Sequence, residues 1–202
     1  MKEGMTQVFD ASGIAYPVTV LRVRPAKITQ VKQTDKDGYE AVQIASGDQK
    51  THRTTRAERG HLGGAYKHVT EFRPRIGKTE SVADFTKDAT IDASVFAAGD
   101  VVVVSAISKG KGFQGVVKRH GFHGAPKSHG VKDMLRAPGS IGGGGRAGGR
   151  VVKGKRMAGR MGADRVTVKN LKVIAVNKDE NVLLIGGAVP GRRGTLVEVR
   201  SV

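Results

Sequence analysis

One run of the sequence has the glycine spacing of a dinucleotide-binding loop. Residues 110–115 read Gly-Lys-Gly-Phe-Gln-Gly, and in such loops backbone N–H groups bind a pyrophosphate at the start of a helix. The site also requires a strand–helix–strand unit with an acid after its second strand. The next residues, 116–121, are β-branched or basic and end in glycine, which is a poor composition for a helix. We therefore expect neither a helix nor a nucleotide site there.

A second run, 149–156, is one residue away from the phosphate-binding loop of nucleotide triphosphatases. Arg156 occupies the position at which Ser or Thr would bind magnesium. The residues before this run are glycine-rich and do not form a strand pattern. The magnesium chemistry is therefore missing, although both kinds of loop use the affinity of the backbone for phosphate.

Three histidines, His120, His123 and His129, lie close together in the sequence. A zinc site would need further ligands and carboxylates around it, but the chain has no Cys and the nearest acid is Asp133. Ser128 precedes His129, but no carboxylate is placed to orient the imidazole for catalysis. We predict no catalytic residue, metal or cofactor here, and interpret these histidines as groups that stack on RNA or hydrogen-bond to it.

All these motifs fall within one basic, glycine-rich segment. The chain has 202 residues, 35 Lys and Arg against 18 Asp and Glu, and a formal net charge of +17. Residues 109–165 contain 14 of those basic residues, only 2 acids and 16 of the 29 glycines. A charge imbalance of this kind predicts a polyanionic partner, above all nucleic acid.

The composition of 109–165 also predicts that it has no core of its own. Glycine buries no side chain and loses the most backbone entropy when it is fixed. Phosphate groups would supply the missing order, since Lys and Arg neutralise them and glycine lets backbone N–H groups approach. An extended chain covers at most about 3.3–3.6 Å per residue, so this segment can reach far from its anchor.

The flanking sequences predict a mainly β fold. Short runs with alternating or β-branched residues are separated by turn signals. Seven or more such strands indicate an antiparallel barrel or sandwich, and a closed antiparallel β-barrel is favoured because closure removes exposed edges. The predicted strands are 16–23, 28–32, 39–44, 101–107, 166–168, 171–176, 182–185 and 195–199. We expect a globular body of residues 1–108 and 166–202, with 109–165 as a long insertion between two of its strands.

A smaller insertion is predicted at about 48–68. Residues 54–59 can begin a short helix, which the glycines at 60, 63 and 64 would limit. Its basic residues are consistent with a secondary RNA contact and, equally, with an ordinary solvated surface. They are Lys50, Arg53, Arg56, Arg59 and Lys67.

The rest of the composition excludes other classes of protein. Without Cys there are no disulfides, and with no Trp and 4% aromatic residues few side chains can stack on bases. No apolar run approaches the roughly 18 residues of a membrane span, and the first residues lack a signal-peptide core. We expect a soluble, intracellular protein that does not bind a membrane.

Longer motifs resemble the bacterial large-subunit ribosomal protein L-three family, in the right order along nearly the whole chain. The resemblance lies in 108–122, followed by 128–130, in 136–142 and in 150–162, which is close to the family's most recognisable stretch. The runs 4–7, 37–39 and 187–191 are also similar.

The resemblance implies a translation-protein type β-barrel with a small helical insertion and a long irregular Gly/Arg/Lys-rich extension. It implies a structural, non-catalytic protein of the cytoplasmic ribosome, acting early in large-subunit assembly. Its partners would be large-subunit ribosomal RNA and neighbouring ribosomal proteins, with no membrane and no small-molecule substrate. The extension would reach between RNA helices and support the peptidyl transferase centre.

Carried onto this sequence, the resemblance assigns RNA contacts to basic residues and histidines along the segment. They are Lys109, Lys111, Lys118, Arg119, His120, His123, Lys127, His129, Arg136, Arg146, Arg150, Lys153, Lys155, Arg156, Arg160 and Arg165. The tip near the peptidyl transferase centre would comprise Gly139, Ser140, Ile141, Gly142, Gly143, Gly144, Gly145 and Arg146.

The sequence departs from the family in two ways. Many bacterial members carry a methylated glutamine in the tip, but no glutamine lies between Pro138 and Arg150, so we expect that modification to be absent. The chain also begins a few residues late for the family, so we expect either that its first strand is clipped or that the sequence starts within that strand.

Three other functions remain open at this point. The first is a free-standing RNA chaperone or nucleoid-type binder, which would need the same charge but no fixed path through RNA. The second is an enzyme that uses a glycine-rich phosphate loop. The third is a membrane-surface protein, which the lack of an amphipathic apolar face disfavours.

Overall fold

The chain folds into two compact units. The computed structural model describes residues 1–73, 82, 85–143 and 148–201. The first unit consists of 1–104, 168–189 and 193–202, and the second of 105–167 and 190–192. Segment 109–165 therefore belongs entirely to the second unit.

Twelve strands and three α-helices make up the regular structure among the described residues. The strands are β1 Lys2–Phe9, β2 Ala15–Arg22, β3 Ala26–Lys32, β4 Ala41–Asp48, β5 Tyr66–Phe72, β6 Thr90–Ile91, β7 Val101–Ile107, β8 Phe113–Gln114, β9 Gly159–Arg160, β10 Arg165–Asn177, β11 Val182–Gly186 and β12 Val197–Ser201. The helices are α1 Thr34–Asp37, α2 Arg56–Leu62 and α3 Val116–His120, and 3-10 turns lie at Thr51–Arg53 and Ala93–Val95. The mainly β fold class is confirmed.

The strands form a six-stranded sheet in the order β1-β2-β11-β10-β7-β12, a four-stranded sheet β5-β4-β3-β6 and a two-stranded sheet β8-β9. The expected closed barrel is wrong for the described residues, since neither larger sheet closes on itself. β1 and β12 are the edge strands of the six-stranded sheet. The backbone of β1 forms hydrogen bonds with residues that precede β12 in the chain. Lys2 N–H donates to Thr195 O at 3.0 Å, and Gly194 N–H donates to Lys2 O at 2.7 Å.

Each larger sheet contributes its own hydrophobic cluster to the first unit. The cluster of the six-stranded sheet contains Leu21, Val102, Val104, Val173, Leu183, Ile185 and Val189. The cluster of the four-stranded sheet contains Ile28, Val42 and Val82. The apolar run that predicted a buried strand at 101–107 is confirmed, because residues 102–106 of β7 are all buried.

Two features of the strands differ from the prediction. The runs 166–168 and 171–176 are one continuous strand, β10, in which Asn170 has a φ of +58°. Asn tolerates this left-handed conformation better than most residues, so the sequence break marks an irregular residue and not the end of a strand. The connection at 177–181 is a hairpin, as predicted, with Asn177 opposite Val182. The strand β5 was not predicted, since its residues are mostly polar, and neither were β1 and the two-residue strands β6, β8 and β9.

The predicted helix of the smaller insertion is confirmed as α2. The Thr55 hydroxyl accepts a hydrogen bond from Glu58 N–H at 3.2 Å, and the Glu58 carboxylate accepts one from Thr55 N–H at 3.0 Å. This reciprocal capping box satisfies two otherwise unpaired N–H groups, and Gly63, with a φ of +67°, ends the helix. Among the described residues, no helix has the length and hydrophobicity required to cross a bilayer.

Candidate nucleic-acid interface

The two ends of segment 109–165 pair with each other. We call 108–115 the outgoing limb and 157–164 the returning limb. β8 of the first limb pairs antiparallel with β9 of the second, with Phe113 opposite Arg160. Further backbone bonds, given as N–H donor to C=O acceptor, are Ser108 to Asp164 (2.9 Å), Lys111 to Met161 (2.9 Å) and Met161 to Gly112 (3.0 Å). The base of the segment is thus an antiparallel ribbon.

The ribbon depends on a close backbone approach at Gly162. This residue has a φ of +76°, and a Cβ atom there would lie 2.3 Å from Lys109 O and 3.0 Å from Lys111 N. Real Cβ contacts are never that short, and both neighbours are backbone atoms that cannot turn aside. Gly162 is therefore required for the limbs to pair as they do.

The outgoing limb leads into α3, which the sequence did not predict. The expectation that 116–121 forms no helix is wrong: Val116–His120 is helical, with Gly115 at the N-cap. Gly121, with a φ of +72°, ends it and donates to Val116 O and Val117 O. The basic residues in the last turn also suit the negative end of the helix dipole.

This helix does not create a dinucleotide site. A Rossmann loop stands between parallel strands, whereas β8 pairs antiparallel with β9 and no βαβ unit occurs in the described residues. The near-match at 149–156 likewise contains no helix. Neither motif has the architecture that its chemistry needs.

Two of the predicted RNA-contacting residues are bonded inside the segment. Arg119 Nη1 donates to Met157 O at 2.8 Å, and His120 Nε2 lies 3.1 Å from the same oxygen. Both side chains are half-buried, and they connect α3 to the returning limb. The structure thus gives Arg119 and His120 an internal structural role that sequence reasoning missed.

The other predicted contact residues within the described segment are exposed. Their exposed side chains are those of Lys109, Lys111, Lys118, His123, Lys127, His129, Arg136, Arg150, Lys153, Lys155, Arg156, Arg160 and Arg165. Lys132 is exposed in the same way and was not among the predicted contacts, although its charge was visible in the sequence. The structure therefore exposes positively charged side chains on both the outgoing and the returning part of the segment.

Segment 109–165 has almost no interior. Among its described residues Val116 is the only one that is buried. Several apolar side chains are exposed instead, with Phe113 77%, Met134 63% and Val152 61% accessible. Such surfaces favour contact with a partner, because burying apolar area is favourable and the segment does not bury it by itself.

The predicted tip is partly described. Gly139, Ser140, Ile141, Gly142 and Gly143 are exposed and have no regular secondary structure, and the Ser140 hydroxyl donates to Gly142 O at 3.3 Å. Gly144, Gly145 and Arg146 lie outside the described residues. For the smaller insertion, the five basic side chains proposed as a secondary contact are all exposed.

Comparison with known proteins decides the family. A family model described as ribosomal protein L3 matches residues 51–183. The chain belongs to the ribosomal protein L3 family. Proteins named large ribosomal subunit protein uL3 match almost the whole chain. The Roseiflexus protein is 52% identical over 98% of this chain and 93% of its own length. The Acidothermus cellulolyticus protein is 48% identical over 99% of this chain and 89% of its own length. The Thioalkalivibrio sulfidiphilus protein is 46% identical over 98% of this chain and 93% of its own length.

The resemblance inferred from the motifs is thereby confirmed. The L3 family model covers the outgoing limb, α3, the returning limb and all of β10. The helix α2 of the smaller insertion also falls within it. The basic segment is therefore part of what makes this chain an L3 protein, and not an addition to it.

Proposed function

We propose that this L3-family protein is a structural component of the large ribosomal subunit that binds ribosomal RNA directly through segment 109–165. The observation that carries the proposal is the combination of 14 basic residues and 2 acids with a single buried residue among the described part of the segment. A chain of this kind gains order and stability from a polyanion that surrounds it. The relatives' name, large ribosomal subunit protein, supports ribosomal RNA as that polyanion.

Binding of this kind reads the shape of RNA more than its sequence. The exposed Lys and Arg side chains neutralise phosphates and release counterions, which positions the protein without a base code. Exposed glycines allow backbone N–H groups to reach phosphate oxygens. The paired limbs would hold the segment narrow at its base, as passage between RNA helices requires.

The two parts of the chain that the sequence analysis separates have different roles. Residues 1–108 and 166–202 form the globular body, and 109–165 form the extension that enters the RNA. The tip, 139–146, supports the peptidyl transferase centre by filling space and supplying charge. The protein acts early in assembly, within the cytoplasm, together with neighbouring ribosomal proteins. It has no catalytic step of its own, because L3 proteins are structural components.

A deletion designed on the ribbon tests this proposal. Met161 N–H bonds to Gly112 O at 3.0 Å and Lys111 N–H to Met161 O at 2.9 Å, so a short link can replace residues 113–160. A Gly-Gly link in their place removes the extension and keeps the ribbon's base. We expect the full chain to sediment with large subunits through a high-salt gradient and the deleted chain to be lost from them.

A matched control separates RNA binding from misfolding. The deleted chain should retain the circular dichroism spectrum and thermal unfolding of its β body. A full chain that binds RNA but is washed out of large subunits at high salt would be a free RNA chaperone instead. A deleted chain that stays in the subunits as firmly as the full chain would contradict the role given to 109–165.

A further inference from the structure

The loop that follows α3 lines an open pocket of about 530 Å³ in the second unit. We call it the loop pocket. It is lined by residues of 120–125 and 131–139 and by Arg156 from the chain on its way back. Its volume falls in the range of ligand sites, and it lies in a segment in which Val116 is the only buried residue among those described.

The loop is fixed by its own backbone bonds. Ala125 N–H donates to Leu135 O at 3.1 Å, and Ala137 N–H donates to Met134 O at 3.1 Å. Gly124, with a φ of +78°, lies so close to Leu135 that a Cβ atom would come within 2.2 Å of its carbonyl oxygen. The pocket is therefore built into the protein and not formed by chance between free side chains.

Its walls combine flat rings, apolar groups and one cation. His120 and Phe122 form a tilted ring pair with centroids 6.0 Å apart and an interplanar angle of 45°. Val131, Met134 and Pro138 supply apolar surface, and Arg156 supplies the positive charge. His120 Nε2 faces Met157 O, which holds that ring in place.

We propose that the loop pocket binds one unpaired nucleotide of ribosomal RNA. The inference rests on the proposed function and adds a specific ligand to it. Rings and apolar groups suit the face of an unstacked base, and a guanidinium suits the adjoining phosphate. Sequence-specific recognition of RNA by proteins depends mainly on such splayed-out bases, because the bases of a paired A-form helix are inaccessible in its deep groove.

The occupant must be anionic, because the pocket lies in the segment with 14 basic residues against 2 acids. It must also have an apolar face, because Met134 remains 63% exposed at the pocket wall. An RNA backbone alone has the charge but no apolar face. A nucleotide has both, and RNA delivers it at high local concentration.

Ultraviolet crosslinking of purified large subunits tests the proposal. Trypsin releases residues 120–127, which contain His120, Phe122 and His123, and separately 112–118, which contain the highly exposed Phe113 outside the pocket. After nuclease digestion, we expect a single-nucleotide adduct on 120–127 at least tenfold more abundant than on 112–118. Reverse transcription should stop at one position of the RNA, and chemical probing should show that this nucleotide is unpaired.

Variants tie the adduct to the pocket. Ala137→Leu fills the pocket and should abolish the adduct, whereas Ala158→Leu makes the same change at an exposed position outside it and should leave the adduct intact. If Ala137→Leu fails to enter subunits, Phe122→Ala, which adds no atoms, should reduce the adduct at least tenfold. The proposal is overturned if the wild type gives no adduct. It is also overturned if the adduct survives in Ala137→Leu or, where that variant does not enter subunits, in Phe122→Ala.

Two further results would be informative in different ways. An adduct without a reverse-transcription stop would mean that a free nucleotide occupies the pocket, and this also overturns the proposal. Absence of the wild-type chain from large subunits would instead contradict the proposed function. The two failures are distinguished by the sedimentation step, which precedes the irradiation.

Discussion

The guanidinium of Arg119 occupies the space that a side chain on Gly159 would need. A Cβ atom at Gly159 would lie 2.6 Å from Arg119 Nη1 and 3.2 Å from its Cζ. In this position Nη1 donates to Met157 O at 2.8 Å, so the absence of a side chain at Gly159 lets Arg119 fasten α3 to the returning limb. A cation that the family resemblance assigns to RNA contact is thus bonded within the protein itself.

The variant Gly159→Ala tests this contact. The new methyl group should push the flexible end of Arg119 aside and break its bond to Met157, at a cost of about 1.5 kcal/mol. Local opening should then become roughly tenfold more frequent, measured as faster hydrogen exchange at Lys111 and Met161 in the free chain. Gly110→Ala is the control, since a Cβ there meets nothing within 4 Å. Equal exchange in the two variants would contradict the contact.

Two glycines with similar backbone angles give a sharper comparison. Gly162 and Gly154 have φ of +76° and +82°, but only at Gly162 would a Cβ meet backbone atoms. Gly154→Ala should cost the left-handed strain alone, about 1–2 kcal/mol. Gly162→Ala should in addition separate the limbs and reduce the occupancy of large subunits severalfold.

Quantitative mass spectrometry of purified subunits measures that occupancy against the other ribosomal proteins. Because both variants carry the same backbone strain, their difference reports the close approach at Gly162. If Gly154→Ala lowered occupancy as much as Gly162→Ala, the approach would not matter for incorporation.

Local sequence patterns were sufficient where the structure is decided locally. The apolar run of β7, the alternation of β2 and the capping residues of α2 predicted elements that the structure contains. The closed barrel was not obtained, because sheet closure depends on pairing between strands that are distant in sequence. α3 was missed because two flanking glycines cap it and outweigh the poor propensity of its residues.

The charge of the candidate interface could be predicted from the sequence, but its geometry could not. Counting Lys, Arg and Gly isolates 109–165 without any structure. The bond from Arg119 to Met157 joins residues 38 apart and depends on a third, Gly159. No local pattern encodes such a triplet, and the same holds for Arg156 at the wall of the loop pocket.

Charge reversal should identify the phosphate contacts. Lys155→Glu and Arg156→Glu replace exposed cations on the segment and should weaken binding to large-subunit RNA. Each should also lower the slope of log K against log salt by about 1. Lys36→Glu reverses an exposed charge in α1 of the first unit and should leave the slope unchanged. An unaltered slope in all three variants would mean that neither 155 nor 156 contacts phosphate.

A polar network in the four-stranded sheet should make the stability of the body depend on pH. Lys32 Nζ lies 2.6 Å from Glu71 Oε1 and donates to the Tyr39 hydroxyl at 2.6 Å, while that hydroxyl donates to Glu71 Oε2 at 3.0 Å. The Lys32 ammonium, which donates to the carboxylate, holds the pKa of Glu71 below its ordinary value. Arg73 also lies over the Tyr39 ring, with Cζ 4.1 Å from its centroid.

The sign of the effect follows from the lowered pKa of Glu71. In the unfolded chain this carboxyl has its ordinary pKa of about 4.3, so on acidification it binds a proton there first. The stabilisation is therefore fully present at neutral pH and is lost as the pH falls from about 5 through the lowered pKa of the folded state. Glu71→Gln should unfold at a lower temperature than the wild type at pH 7, and this difference should shrink progressively below pH 5.

Thermal unfolding followed by circular dichroism at pH 7, 5, 4 and 3 measures the difference. Glu40→Gln makes the same chemical change at an exposed side chain nearby and controls for the loss of one negative charge. If the difference in unfolding temperature between wild type and Glu71→Gln stayed constant over this range, Glu71 would stabilise the sheet by its shape and not by its charge. A difference in unfolding temperature that grows on acidification would require that folding raises the pKa of Glu71.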